Sequence, residues 1–147
     1  QLDLSEIARE SLERLRILVQ NTPFDLVYNG PKQLIFSGDK VLLGRLMDNL
    51  LENAVKYSHA GHIELRLQEE TAQVVIRVED EGEGVPAETL AKLTTPFFRV
   101  KEQQGAGVGL GLSVVQHNVK AHGGVLEFKN LSPTGFAVMA ILPRATS

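Results

Sequence analysis

Apolar residues recur at helical spacing from the start of the chain: Leu4, Ala8, Leu12, Leu15, Leu18 and Val19, with Ser11 on the same stripe. The spacing predicts a helix over 4–20. Asp3 and Glu6 stand where an N-cap and its capping-box partner belong, and Asn21-Thr22-Pro23 stops the helix. Residues 24–28 and 33–37 read as two short strands around Asn29-Gly30-Pro31, a turn signal. A second helix follows, capped by Asp39 and running to about Tyr57. Its buriable face holds Leu43, Leu46, Met47, Leu50 and Ala54. Residues 62–68 alternate cleanly, with Ile63, Leu65 and Leu67 on one side. Residues 73–79 do the same with Val74, Ile76 and Val78, and the short gap between the runs suits a hairpin. A third helix is expected over 110–121, ended by the glycine cap His122-Gly123-Gly124. Strands at 125–129 and 135–142 close the chain, the last nearly all apolar.

Clean alternation means a sheet with one wet face, and such sheets are usually antiparallel. The expected architecture is α+β: a two-layer α/β sandwich with helices packed on one face of a mixed, mainly antiparallel sheet. Residues 81–109 break the pattern with glycines 82, 84, 105, 107 and 109 and prolines 86 and 96. A long irregular stretch inside a compact domain reads as a functional lid or as disorder. No internal repeat or low-complexity segment interrupts the series. The whole chain, 1–147, therefore reads as a single domain.

Composition narrows the class. Hydrophobic residues make up 43% and charged residues 22%, an ordinary globular balance. The formal net charge of −3 argues against a nucleic-acid surface. There is no cysteine, so neither a disulfide framework nor a thiolate metal site is available. No apolar run approaches the ~18 residues of a spanning helix. The chain begins at Gln1 rather than Met and so reads as a piece of something longer.

The second helix carries an anomaly. Asn49 and Asn53 are one turn apart, and Lys56 and Tyr57 extend the same stripe. Asparagine is about 0.6 kcal/mol worse than alanine inside a helix, so something off the helix should compensate. A metal–phosphate ligand is one candidate, because an amide carbonyl is a hard oxygen donor and lysine a phosphate counter-charge. Directly after a strand comes Asp80-Glu81-Gly82-Glu83-Gly84-Val85-Pro86. It suits either a plain turn or a carboxylate that accepts from an adenine amino group, with glycines letting backbone approach a flat ring. Gly105-Ala106-Gly107-Val108-Gly109-Leu110-Gly111 feeds a helix. It suits either a hinge or a phosphate cradle of backbone N–H groups. It is neither a Rossmann fingerprint nor a Walker loop. Thr95-Pro96-Phe97-Phe98-Arg99 can anchor the irregular stretch on the core, while Arg99 and Lys101 could reach a terminal phosphate. The four histidines form no metal pattern and read as surface or cap residues. The acidic run 79–83 lacks calcium-loop spacing, and no nucleophile elbow is present.

The order of these motifs resembles the catalytic ATP-binding domain of bacterial sensor histidine kinases, in the superfamily of gyrase, mismatch-repair ATPases and heat-shock chaperones. Asn49…Asn53 to Tyr57 matches the N box, Asp80-x-Gly82-x-Gly84 the first glycine box, Pro96 to Arg99 the F box, and Gly107-x-Gly109-x-Gly111 the second glycine box. The resemblance covers essentially the whole chain. It implies ATP and Mg²⁺ as cofactors, with Asn53 as the metal ligand and Asn49 orienting the metal shell or the phosphates. Lys56 would pair with phosphate and Tyr57 would pack on the nucleotide. Asp80 would read the adenine amino group, with Gly82, Gly84 and Val85 shaping the pocket. Gly105, Gly107, Val108, Gly109 and Leu110 would contribute the lid side, with Lys101 near phosphate. Arg99 would neutralise charge at the γ-phosphate or dock the lid. Catalysis would then rest on Asn49, Lys56 and Arg99, by positioning and charge neutralisation.

The implied partners are a dimerisation and phosphoacceptor domain of the parent protein and a response regulator. The resemblance also implies a cytoplasmic domain of an inner-membrane sensor protein, with no direct membrane contact. None of the four histidines has the acceptor context His-Glu/Asp-x-Arg/Lys-x-Pro, so the acceptor helix is expected elsewhere in the parent. The late Gly-Thr-x-Phe signature is loosened here to Pro133-Thr134-Gly135-Phe136. An acidic residue activates water at the Asn49 position in gyrase-like relatives. An amide cannot, which favours phosphoryl transfer over ATP hydrolysis. Two alternatives remain at this level: a nucleotide-binding regulatory module without transfer activity, and a serine-kinase or anti-sigma relative on the same fold.

Overall fold

The structure, a computed structural model, describes residues 1–58, 61–82, 106–131 and 135–144, with backbone alone for 57–58 and 106–113. In chain order the elements are β1 (Leu2–Asp3), α1 (Leu4–Leu18), β2 (Phe24–Asn29), β3 (Ile35–Phe36), α2 (Lys40–Ser58), β4 (Gly61–Glu69), β5 (Gln73–Asp80), α3 (Ala106–Ala121), β6 (Val125–Asn130) and β7 (Phe136–Pro143). The main sheet has five strands in the order β2-β4-β5-β7-β6, and β1 pairs with β3 in a two-stranded sheet. The β2–β4 pair is parallel; every other pair is antiparallel. Among the described residues three helices lie on one face of the sheet, as the α+β sandwich requires. Of the expected irregular stretch 81–109, residues 83–105 lie outside the described residues.

Side-chain alternation decides which face is covered. Ile63, Leu65 and Leu67 on β4 and Val74, Ile76 and Val78 on β5 are buried beneath the helices. Ala140 and Leu142 sit opposite Ile76 and Val74 in register and complete that layer from β7. The helices meet it with Leu4, Ile7, Ala8, Leu12 and Leu15 from α1, with Leu43, Leu46, Met47, Leu50 and Leu51 from α2, and with Val115 and Val119 from α3. The open face carries Glu64, Arg66, Arg77 and Glu79. Arg66 lies directly across from Arg77; Glu79 pairs with both, at 3.8 and 2.7 Å, and Glu64 pairs with Arg66 at 2.9 Å. Like charges facing each other across a ladder would otherwise be unfavourable.

The turn signal at Asn29-Gly30-Pro31 does not fold two strands onto each other. β2 crosses to β4, where Leu26 and Tyr28 match the inward rows of Ile63 and Leu65. β3 turns to β1 instead. The Tyr28 hydroxyl donates to Pro31 O at 2.6 Å, and the buried Ser5 hydroxyl donates to the same oxygen at 2.9 Å. The chain between the strands is thereby tied to α1 rather than left as a hairpin tip.

Asp3 caps α1 as its position suggests, and it does more. Its Oδ1 accepts from Ser5 N at 3.0 Å and from Leu34 N at 2.9 Å, so one carboxylate joins the helix start to the approach of β3. Farther along α1, the Ser11 hydroxyl donates to Asp48 Oδ1, and Arg14 Nη2 reaches the same oxygen at 3.0 Å. That contact fixes α2 one residue before Asn49. Replacing Asp3 with alanine removes the acceptor of two backbone donors and should cost about 1–2 kcal/mol. Urea denaturation followed by circular dichroism measures it; a loss under a few tenths would show that other groups hold these donors.

Candidate functional site

The polar stripe on α2 divides by depth. Asn53 is buried at 8% exposure, deeper than Asn49 or Lys56. Asn49 is half-buried and Lys56 is exposed. The Asn53 Nδ2 is buried with no hydrogen-bond partner. Leaving such a group unpaired costs about 1–3 kcal/mol. An amide can also turn over and present its carbonyl oxygen to the same space. This chemistry fits either an acceptor for the amide nitrogen, such as a phosphate oxygen, or, with the amide turned over, a divalent cation that takes its hard oxygen.

Asp80 ends β5 on the inward row set by Val74, Ile76 and Val78, the side on which α2 packs. It is the only buried carboxylate among the described residues, at 6% exposure. Burial raises its pKa above 3.8, and a hydrogen bond from Gly82 N to Oδ1 at 2.8 Å opposes that rise. The backbone around it is tightly packed. A Cβ on Gly135, at φ +121°, would lie 2.7 Å from Asp80 O, so glycine is required there.

Two contacts at this end escape a reading of the sequence. Glu81 accepts from His62 N at 2.8 Å, pinning the residue after Asp80 to the start of β4. Gly61, at φ +106°, makes room for that carboxylate; a Cβ there would lie 2.7 Å from Glu81 Oε1. The segment leaving α2 is thereby fastened to the segment leaving β5. Nothing in the local run of acids distinguishes Glu81, because its partner is a backbone N–H nineteen residues away. Asn118 and His122 on and after α3 are also engaged, with partners at the start of α2.

The third helix begins at Ala106, four residues before the expected start at Leu110. Glycine costs about 1 kcal/mol in a helix, yet the helix takes in Gly107, Gly109 and Gly111. Gly107, Val108, Gly109 and Leu110 are therefore helical. The unsatisfied N–H groups and the positive end of the helix dipole fall on the glycines themselves. Tyr57 lies in the last turn of α2. Gly84, Val85, Arg99, Lys101 and Gly105 lie outside the described residues.

A family model described as the histidine kinase-, DNA gyrase B- and HSP90-like ATPase matches residues 38–146. The chain belongs to that ATPase family. Within it the neighbours are sensor histidine kinases. A mycobacterial sensor histidine kinase, MprB, superposes with a TM-score of 0.77 at 30% identity, covering 99% of this chain and 97% of that one. The sensor protein CutS of Streptomyces coelicolor is 32% identical over 97% of this chain, and the alginate biosynthesis sensor protein KinB of Pseudomonas aeruginosa is 35% identical over 71% of it. The chain spans only 35% of CutS and 18% of KinB. This is the catalytic ATP-binding domain of the sensor histidine kinase branch, an ATP-binding kinase module. No helix among the described residues is long and apolar enough to cross a membrane.

The raised pKa of Asp80 carries a stability consequence. Its folded-state pKa exceeds the unfolded value, so the ionised carboxylate opposes folding at neutral pH. That cost disappears as pH falls below 3.8 and both states are protonated. Asp80→Asn keeps an acceptor for Gly82 N and removes the charge. The nucleotide-free variant should therefore show a higher urea midpoint than the parent at pH 7, the two converging as pH approaches 3.8. A variant that is less stable at neutral pH contradicts this account.

Proposed function

We propose that this domain binds ATP with Mg²⁺ and donates the γ-phosphoryl group to a histidine on a separate dimerisation domain of its parent sensor kinase. The phosphoryl group then passes to an aspartate on a response regulator. The observation that carries the reading is the buried, unpartnered amide of Asn53 on the helix that also bears Asn49 and Lys56. A buried orphan of this kind implies a bound group that completes it.

In this reading Asn53 holds the cation through its amide oxygen and Asn49 orients its shell or the phosphates. The cation, when bound, neutralises phosphate charge. Asp80 accepts from the adenine amino group. Its Oδ1 is already engaged by Gly82 N, which holds the carboxylate in one orientation. Gly82, Gly84 and Val85 line the ring, and Tyr57 packs against the nucleotide. The first turn of α3, with Gly107, Val108, Gly109 and Leu110, offers N–H groups to phosphate. Lys56, Lys101 and Arg99 supply positive charge, and Gly105 completes the lid side. None of these residues is a nucleophile or a general base. The domain works by placement and charge neutralisation, as phosphoryl transfer requires. Nothing in the set activates a water, so hydrolysis should be slow. The domain is placed on the cytoplasmic side of an inner-membrane sensor, where ATP is available.

Titration of a fluorescent ATP analogue tests the assignment. The parent should bind more tightly with Mg²⁺ than without. Asn53→Ala should abolish that difference, and Asp80→Asn should weaken binding about tenfold or more under both conditions, the worth of a lost charge-assisted hydrogen bond. Unchanged affinity in both variants sinks the site. With a separately produced acceptor domain and γ-labelled ATP, the label should transfer and be acid-labile; an acid-stable label would point to a hydroxyl acceptor instead.

A further inference from the structure

The start of α2 is capped in an unusual way. Asp39 is the N-cap: its Oδ1 accepts from Leu42 N at 3.1 Å, and its backbone carbonyl accepts from Leu43 N at 2.9 Å. In a capping box, a Glu or Gln at the third helical position returns to the N-cap backbone N–H. That position here is Leu42, which has no polar group to return. The Asp39 N–H is taken instead by His122 Nε2, at 3.1 Å, from the far end of α3. The other ring nitrogen, Nδ1, lies 2.8 Å from Asn118 O. A nitrogen that accepts leaves its partner to carry the proton, so the ring is neutral with hydrogen on Nδ1. Asn118, buried at 2% exposure, adds a second tie by donating from Nδ2 to Leu42 O at 3.0 Å.

The surroundings are shaped for this ring. A Cβ on Gly38 would sit 3.0 Å from His122 Nε2 and 2.9 Å from the Phe36 ring. Phe36 lies against the imidazole with centroids 6.3 Å apart. Behind His122, Gly124 passes so close to β7 that a Cβ would lie 2.4 Å from Ile141 O. The histidine is thus held from both sides and cannot follow α3 if that helix slides.

The two ties also set a register. From Asn118 to His122 is one turn forward on α3, and from Leu42 to Asp39 is about one turn back on α2. The helices therefore run antiparallel. Continued at 1.5 Å per residue, the series brings Gly111 and Gly107 level with Asn49 and Asn53. We propose that His122 is a positioning residue: it completes the cap of α2 in trans, and so holds the glycine turn of α3 opposite the asparagines of α2. This rests on the functional reading above and adds to it the residue that sets the distance between the two halves of the site.

The test separates a cap from a register. His122→Ala should lower the Mg²⁺-dependent part of ATP-analogue affinity roughly fivefold to tenfold, the low end of coupling between sites, and should lower the melting temperature. Leu42→Glu added to His122→Ala supplies the missing capping-box carboxylate within α2 itself. It should recover the melting temperature and leave the affinity low. His122→Gln, whose amide oxygen reaches the place of Nε2, should recover both; His122→Asn, which reaches only the place of Nδ1, should not. Affinity restored by Leu42→Glu, or equal in the Gln and Asn variants, overturns the proposal and leaves His122 a plain helix cap. Hydrogen exchange on the nucleotide-free protein reads the clasp without any ligand. In the double variant α3 amides should exchange faster while the first turn of α2 stays protected, and unchanged α3 protection overturns the proposal. Accelerated exchange in α3 with a parent that binds no nucleotide would sink the functional reading alone.

Discussion

The aliphatic face of α2 is packed at once against α1, α3 and the strands beneath, and that packing governs the rest of the domain. Leu43, Leu46, Met47, Leu50 and Leu51 are all at or below 1% exposure. A helix enclosed this fully cannot rotate to spare a polar residue. Asn53 is therefore carried into the interior by the apolar residues of the same helix, and the favourable burial of those residues, about 2 kcal/mol for each large side chain, sustains an amide nitrogen that no protein group satisfies. The site is stable because it is a minor cost within a large apolar contact.

What surrounds α2 shows how little freedom its ends have. Ser11 and Arg14 hold Asp48 in mid-helix. His122 and Asn118 hold the first turn, and Glu81 fastens the segment that follows the last. Each tie comes from a different element. The helix is located in three dimensions by polar contacts, while its affinity for the core is apolar and non-directional. Asp80 meets it from the sheet with a carboxylate that burial has made costly to ionise.

Most of the architecture was legible because it is local. Helical spacing in α1 and α2, two-residue alternation in β4 and β5, and glycine at the end of α3 all act within a few residues. The asparagine pair stood out for the same reason: a weak helix former recurring on one face needs a partner. Other features depend on partners distant in sequence. Both strands around Asn29-Gly30-Pro31 form, but each pairs elsewhere, β2 with β4 and β3 with β1, and those partners are not written in the local run. The start of α3 lies four residues upstream, at Ala106, because glycine's poor propensity is only a weak guide to a helix end. His122 and Glu81 were invisible as positioning groups, since each serves a backbone N–H distant in sequence. A histidine before two glycines announces the end of a helix and says nothing of the helix it caps.

The parallel pairing of β2 with β4 has a kinetic side. Hairpins such as β4–β5 and β6–β7 close over a few residues and can form early. β2 reaches its partner only after β3 and the whole of α2 have passed between them. Its loop-closure entropy must be met before any of its ladder forms. Until then the outer edge of β4 stands unpaired, with the inward row of Ile63, Leu65 and Leu67 beside it. An unpaired apolar edge invites association with other chains. The parallel strand covers the edge of β4 in the finished domain and becomes the outer strand itself, so the parallel pairing of the sheet lies at its margin.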